Sequence, residues 1–149
     1  MMWELTAERI LAACNCIGRA QLPFEAALNY VQQRAQFGQP ISNFQAIRHR
    51  FADMATQLEA VRQLTYYSAW LYANGGNPMK ESSMANLMAA QVAFNIADEA
   101  LQMHGGYGYM MDSPIQRYWR DMRLYRIAAG TDEIQKEIIA GQLFPRAPR

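Results

Sequence analysis

Apolar residues recur at three- and four-residue steps through most of the chain, the spacing of one face of an α-helix. The first stripe is Ile10, Ala13, Ile17, Ala20, Phe24, Ala27, Leu28 and Val31. Thr6 is the predicted N-cap, with Glu8 in the first turn, where the helix dipole favours an acid. Pro23 interrupts one ladder hydrogen bond, so a kink is expected there. Phe37-Gly38-Gln39-Pro40 ends this helix. A second is predicted from Phe44 to about Ala73, with Ile47, Phe51, Met54, Leu58, Val61, Leu64, Tyr67 and Leu71 facing the core; Asn74-Gly75-Gly76-Asn77-Pro78 stops it. A third runs from about Lys80 to His104 with Leu87, Ala90, Phe94, Ala97 and Leu101, and Gly105-Gly106 breaks it. Pro114 opens a fourth, capped by Asp112 or Ser113 and reaching about Ile127. Thr131 caps a short last helix, Asp132 to Gly141, and residues 145–149 are expected to fray. No alternating strand pattern is present. The expectation is an all-α chain, an up-and-down four-helix bundle with a short extra C-terminal helix, forming one domain over 1–149.

Composition narrows the function classes. The 149 residues are 51% apolar, enough for one domain with a sizeable core. A net charge of +1 gives no electrostatic case for nucleic acid or an anionic membrane. No apolar run nears the ~20 residues that span a bilayer, and the N-terminus shows no signal-peptide pattern. A cytoplasmic protein is expected, or a mitochondrial-matrix one in a eukaryote. Cys14 and Cys16 lie two positions apart on a helix and face different ways, so neither a shared metal nor a bond is expected. Methionines fill core gaps, Trp70 and Trp119 are expected as core or interface anchors, and His49 is a surface residue.

Three segments carry candidate chemistry. The first is Tyr30-Val31-Gln32-Gln33-Arg34-Ala35-Gln36-Phe37-Gly38-Gln39-Pro40-Ile41, continuing into Phe44-Gln45-Ala46-Ile47. The second is Gln102-Met103-His104-Gly105-Gly106-Tyr107-Gly108-Tyr109. The third is Arg117-Tyr118-Trp119-Arg120-Asp121-Met122-Arg123, then Ile127-Ala128-Ala129-Gly130-Thr131-Asp132-Glu133-Ile134-Gln135. Arg34 offers a planar fork suited to a pyrophosphate, and Gly105-Gly106 lets a phosphate or ribose approach backbone closely. Locally, Arg34 could equally be an exposed arginine at a helix end, and the glycines an ordinary helix stop.

In type, order and spacing the three segments resemble motifs of the flavin-dependent acyl-CoA dehydrogenases, over nearly the whole chain. The resemblance implies FAD as cofactor. It implies that Arg34, Ala35, Gln36, Phe37, Phe44 and Gln45 contact the FAD of a neighbouring subunit. Gln102, Met103, His104, Gly105 and Gly106 would lie on its adenosine half, His104 without chemistry of its own. Thr131, Asp132 and Glu133 would touch the FAD of their own subunit. It further implies an acyl-CoA substrate, electron-transfer flavoprotein as electron acceptor, and a homodimer or homotetramer. The chain matches only the last part of such enzymes, so their N-terminal helical and middle β domains are expected to be missing from it.

One position departs from the pattern. Many family members carry the base that removes the substrate α-proton just before the Gly-Thr of the third segment, where this chain has Ala129. The backbone N–H at that position, a donor to the thioester carbonyl in the family, survives the change. Isovaleryl-CoA and long-chain acyl-CoA dehydrogenases place the base in a Glu-Arg pair on the first helix, and Glu8-Arg9 matches it. The resemblance implies Glu8 as base, with Arg9, Thr6 and Gly130 as substrate contacts. By local sequence alone, Glu8 reads as a helix N-terminal acid. The competing reading is a non-catalytic paralogue or assembly subunit that keeps the FAD-binding bundle.

Overall fold

The computed structural model describes residues 2–144, with side chains from residue 5 onward. Helix α1 (Met2–Gln33) leads into a two-residue antiparallel hairpin, β1 (Ala35–Gln36) and β2 (Gln39–Pro40), then a 3-10 turn (Ile41–Asn43). Helices α2 (Gln45–Ala73) and α3 (Met79–His104) follow. A single turn, α4 (Gly106–Tyr109), precedes α5 (Pro114–Tyr125) and α6 (Asp132–Leu143). The all-α expectation holds.

Helix α3 is the central element and packs against α1, α2, α5 and α6. Its buried face is built from small residues, among them Ala85, Ala89, Ala93, Ala97 and Ala100, with Ile96 and Met103 between them. The facing stripe of α1 is similar: Ala13, Cys16, Ala20 and Ala27 are each 0% exposed. Small side chains on both partners leave room for little beyond a methyl group, since protein interiors are close-packed. Ala93→Leu is therefore expected to destabilise the bundle by about 3 kcal/mol or more through overpacking, read as a lower urea midpoint with an unchanged slope.

Cys16 belongs to this seam, whereas Cys14 is exposed, as their two-residue spacing requires. Burial pushes the Cys16 thiol up to about 12, against a smaller opposing pull from Arg19. The folded thiol stays neutral while an unfolded one ionises near 9, so this group removes stability as pH rises above that point. A thiolate-directed alkylating agent at pH 8 should modify Cys14 in the native protein and Cys16 only on unfolding. Rapid double modification without denaturant would contradict the packing.

Two caps fall where the sequence puts them. The Ser113 side chain accepts from the Ile115 N–H at the start of α5, with Pro114 in the first turn. Thr131 accepts from the Ile134 N–H at the start of α6. Other expectations need correction. Thr6 is not an N-cap: α1 begins at Met2, and Thr6 is 1% exposed inside the helix. Glu8 accordingly lies beyond the first turn, where the dipole effect has faded. Tyr67, expected on the core-facing stripe, is 51% exposed and stacks on Trp70, because Thr65 and Ser68 take the buried face of that part of α2. The Ala35–Pro40 hairpin, too short to show alternation, was not expected from the sequence. Residues 145–149 lie outside the described residues.

Candidate cofactor and active site

The hairpin between β1 and β2 turns through Phe37 (φ 54°) and Gly38 (φ 79°). Positive φ at both central residues matches the right-handed twist of the flanking strands. Phe37 adopts it despite its Cβ, and its ring is 90% exposed at the tip, edge-on to Phe44 at 6.2 Å. Among the described residues only Phe37 and Ala129 (φ 56°) combine a side chain with positive φ. Both lie in the segments singled out from the sequence. Such strain costs energy and concentrates at functional sites.

Arg34 and Gln36, at the end of α1 and on β1, share a cleft of about 410 Å³ with Gln102, Met103, His104, Gly105 and Gly106 at the end of α3. Tyr30, Ile41 and Tyr107 complete its lining. The fold thus joins two motifs nearly seventy residues apart. The Tyr30 and His104 rings stack at 4.2 Å. His104 Nδ1 is 2.7 Å from the Ala100 carbonyl, which can only accept, so Nδ1 carries the hydrogen and Nε2 of the neutral ring is an acceptor. Arg34 is exposed. A Cβ added to Gly105 or Gly106 would meet nothing within 4 Å, so both glycines present open backbone. A cationic fork and accessible backbone beside stacked rings fit a dinucleotide.

The other predicted cofactor residues do not line this cleft. Ala35, Phe37, Phe44 and Gln45 sit around the hairpin beside it; Ala35, Phe37 and Gln45 are exposed and Phe44 is half-buried. Thr131, Asp132 and Glu133 form the start of α6. Asp132 is buried, and its Oδ2 accepts from Arg126 Nε and Nη2 at 2.9 and 2.7 Å and from Gln91 Nε2 at 3.3 Å. Exposed Glu133 is held below the usual carboxylate range, first by its own backbone N–H and then by the Thr131 hydroxyl.

The predicted base and substrate contacts lie along the first turns of α1. Glu8 is exposed and makes no hydrogen bond or ion pair among the described residues. Its neighbour Arg9 points inward at 6% exposure. Burial lowers the Arg9 guanidinium pKa, and Glu8 partly offsets this. Arg9 Nε is buried without a hydrogen-bond partner among the described residues. Gly130, the remaining predicted contact, lies in the loop before α6 with φ 95°. Arg126 went unnoticed in the sequence, and Gln135 stood there only as the end of the third segment, with no role assigned; for Arg126 the only signal is a charged side chain ahead of the Gly-Thr turn.

Residues 1–144 match the acyl-CoA dehydrogenase C-terminal domain. The chain belongs to the acyl-CoA dehydrogenase family. It is 41% identical over 143 residues to the human mitochondrial short-chain specific acyl-CoA dehydrogenase, covering 96% of this chain and 35% of that protein. It is 41% identical over 145 residues to the caffeyl-CoA reductase–Etf complex subunit CarC of Acetobacterium woodii, covering 97% and 38%. The butyryl-CoA dehydrogenase structure from Megasphaera elsdenii superposes with a TM-score of 0.93 at 37% identity, over 95% of this chain and 37% of that one. The chain therefore spans little more than a third of these acyl-CoA dehydrogenase relatives. Among the described residues no helix is long and apolar enough to cross a membrane.

Proposed function

We propose that this bundle is the C-terminal domain of a FAD-dependent acyl-CoA dehydrogenase that introduces an α,β double bond into an acyl-CoA thioester, with Glu8 as the α-proton base. The observation that carries the reading is the division of labour between two places. The loop before α6 has Ala129 where many family members carry the carboxylate, and α1 presents Glu8 exposed beside buried Arg9, in no hydrogen bond or ion pair among the described residues. A carboxylate without a partner is free to accept a proton; one locked in an ion pair is not.

In this reading Glu8 takes the α-proton onto a carboxylate oxygen. The Ala129 N–H donates to the thioester carbonyl and stabilises the negative charge that develops there. Arg9, whose Nε has no protein acceptor, contacts the substrate. FAD, when bound, supplies the acceptor for the β-hydrogen, which leaves as hydride. Arg34, Gln36 and Gln102–Gly106 hold the dinucleotide from the cleft, while the start of α6 touches the cofactor elsewhere. Those two groups share no cleft, which supports an assembly in which neighbouring subunits complete each other's sites, a homodimer or homotetramer. Electron-transfer flavoprotein is the proposed electron acceptor, supported by the relative that is a subunit of a reductase–Etf complex.

The test is anaerobic mixing of the FAD-loaded full-length protein, since the bundle alone is expected to be inactive, with a panel of acyl-CoAs of differing length and branching. Bleaching of the flavin absorbance by at least one is expected. Bound FAD that no acyl-CoA bleaches would favour the non-catalytic assembly subunit.

A further inference from the structure

The loop from Arg126 to Asp132 is held by contacts that ordinary folding does not explain. Gln135, in the second turn of α6, is 1% exposed. Its Nε2 donates to the Ala129 carbonyl at 2.9 Å and the Gly130 carbonyl at 3.0 Å. Both acceptors are carbonyls, so the amide orientation is fixed by chemistry: NH₂ faces the loop. The other end of the same side chain, Oε1, is buried with no partner. A buried amide satisfied at one end only is a poor choice for stability alone. An apolar residue of similar length would fill the volume without an orphaned oxygen, but would leave the Ala129 and Gly130 carbonyls without this donor.

What the carboxamide achieves is conformational. Ala129 at φ 56° and Gly130 at φ 95° are two successive left-handed residues, and their carbonyls turn to the same donor group. Glycine suits position 130 because φ 95° is strained for any side chain, and an added Cβ, 2.9 Å from Gln135 Nε2, would push that amide aside. On the other side, the Ala128 N–H donates to the Leu124 carbonyl at 3.0 Å. The amide joining Ala128 to Ala129 is thus pinned at both flanks. Among the described residues no backbone carbonyl accepts from the Ala129 N–H. An outer brace closes the same loop: Arg126 and Gln91 converge on Asp132 Oδ2, and the Asp132 N–H donates to the Arg126 carbonyl at 3.3 Å.

We propose that Gln135 is a positioning residue for the reaction, its carboxamide clamping the Ala129 and Gly130 carbonyls so that the Ala129 N–H faces the thioester carbonyl. This rests on the acyl-CoA reading given above. Without the clamp, Ala129 relaxes out of the left-handed region and the donor swings away, though every group that touches substrate is still present.

The test uses the FAD-loaded full-length protein and Gln135→Met, which keeps length and volume and removes both donors. Flavin reduction should slow by about 10- to 100-fold, less than the effect of deleting an oxyanion donor outright, with KM changed less than about threefold. The decisive readout is the thioester carbonyl itself. In a Glu8→Gln background, where the substrate is not consumed, the acyl-CoA that bleaches the wild type fastest is bound with ¹³C at its thioester carbonyl. Its isotope-edited infrared stretch should lie below the free value, and adding Gln135→Met should return it toward that value. A shifted band that Gln135→Met leaves unmoved, with reduction kinetics unchanged and only thermal stability lowered, overturns the clamp and leaves the acyl-CoA reading intact. A band unshifted in the Glu8→Gln protein itself overturns the polarising amide, and the clamp with it. If Gln135→Met does not fold, Arg126→Gln in the outer brace, at a partly exposed side chain, should shift the band the same way with a several-fold rate loss; no shift there overturns the proposal.

Discussion

Glu8→Gln is expected to slow flavin reduction by substrate about 10²- to 10⁴-fold, the range for loss of a positioned general base, while FAD remains bound. The substitution is isosteric and removes only the proton acceptor. The α-proton beside a thioester is weakly acidic, and the loop that often holds the base has Ala129 in its place. Glu8 makes no hydrogen bond or ion pair among the described residues, and its one electrostatic neighbour is Arg9. Helix α1 runs through Glu8 and leaves it exposed beside buried Arg9. Flavin bleaching within a few-fold of wild type would remove Glu8 from the mechanism and leave the domain without an identified proton acceptor.

Arg34→Ala is expected to weaken FAD binding about 10- to 150-fold, the equivalent of one lost charge-assisted hydrogen-bonding group worth about 1.5–3 kcal/mol. Arg34 lines the same cleft as Gly105 and Gly106. Among the described residues Arg34 is held through its backbone, its N–H donating to the Tyr30 carbonyl at 2.8 Å and its carbonyl accepting from the Ile41 N–H at 2.8 Å, so the fold should tolerate the change. Arg34→Lys should recover part of the loss, because it restores charge but not the planar fork. FAD titration of the apoprotein at two salt concentrations measures both. Equal affinity in wild type and Arg34→Ala would show that the cleft does not hold the cofactor's phosphates.

Much of the fold was legible because helices announce themselves locally. Periodicity located the long helices, the Asn74–Pro78 stretch separated α2 from α3, and Ser113 and Thr131 marked the starts of α5 and α6. Where the sequence misled, neighbours overrode a local signal. Thr6 has a cap's chemistry, yet the helix runs through it and buries it. Tyr67 keeps the apolar spacing of α2, yet Thr65 and Ser68 turn to the bundle there and leave Tyr67 exposed. Of the candidate site, residue types and order could be read in advance, including the absent carboxylate at Ala129 and the Glu8-Arg9 pair.

The sequence by itself therefore determined the helical class, the family and the residue types available for chemistry, since these depend on spacing and identity along the chain. Tertiary structure alone decided which of them meet. It brought Arg34 to Gly105-Gly106, buried Arg9 while leaving Glu8 outside, and set Gln135 beneath the Ala129 and Gly130 carbonyls with Arg126 locked to Asp132. The physical reason is that a polar side chain carries no sign of its partner. Only the packing of α6 against α3, with the left-handed turn that joins α5 to α6, creates the two carbonyls that a single amide can hold.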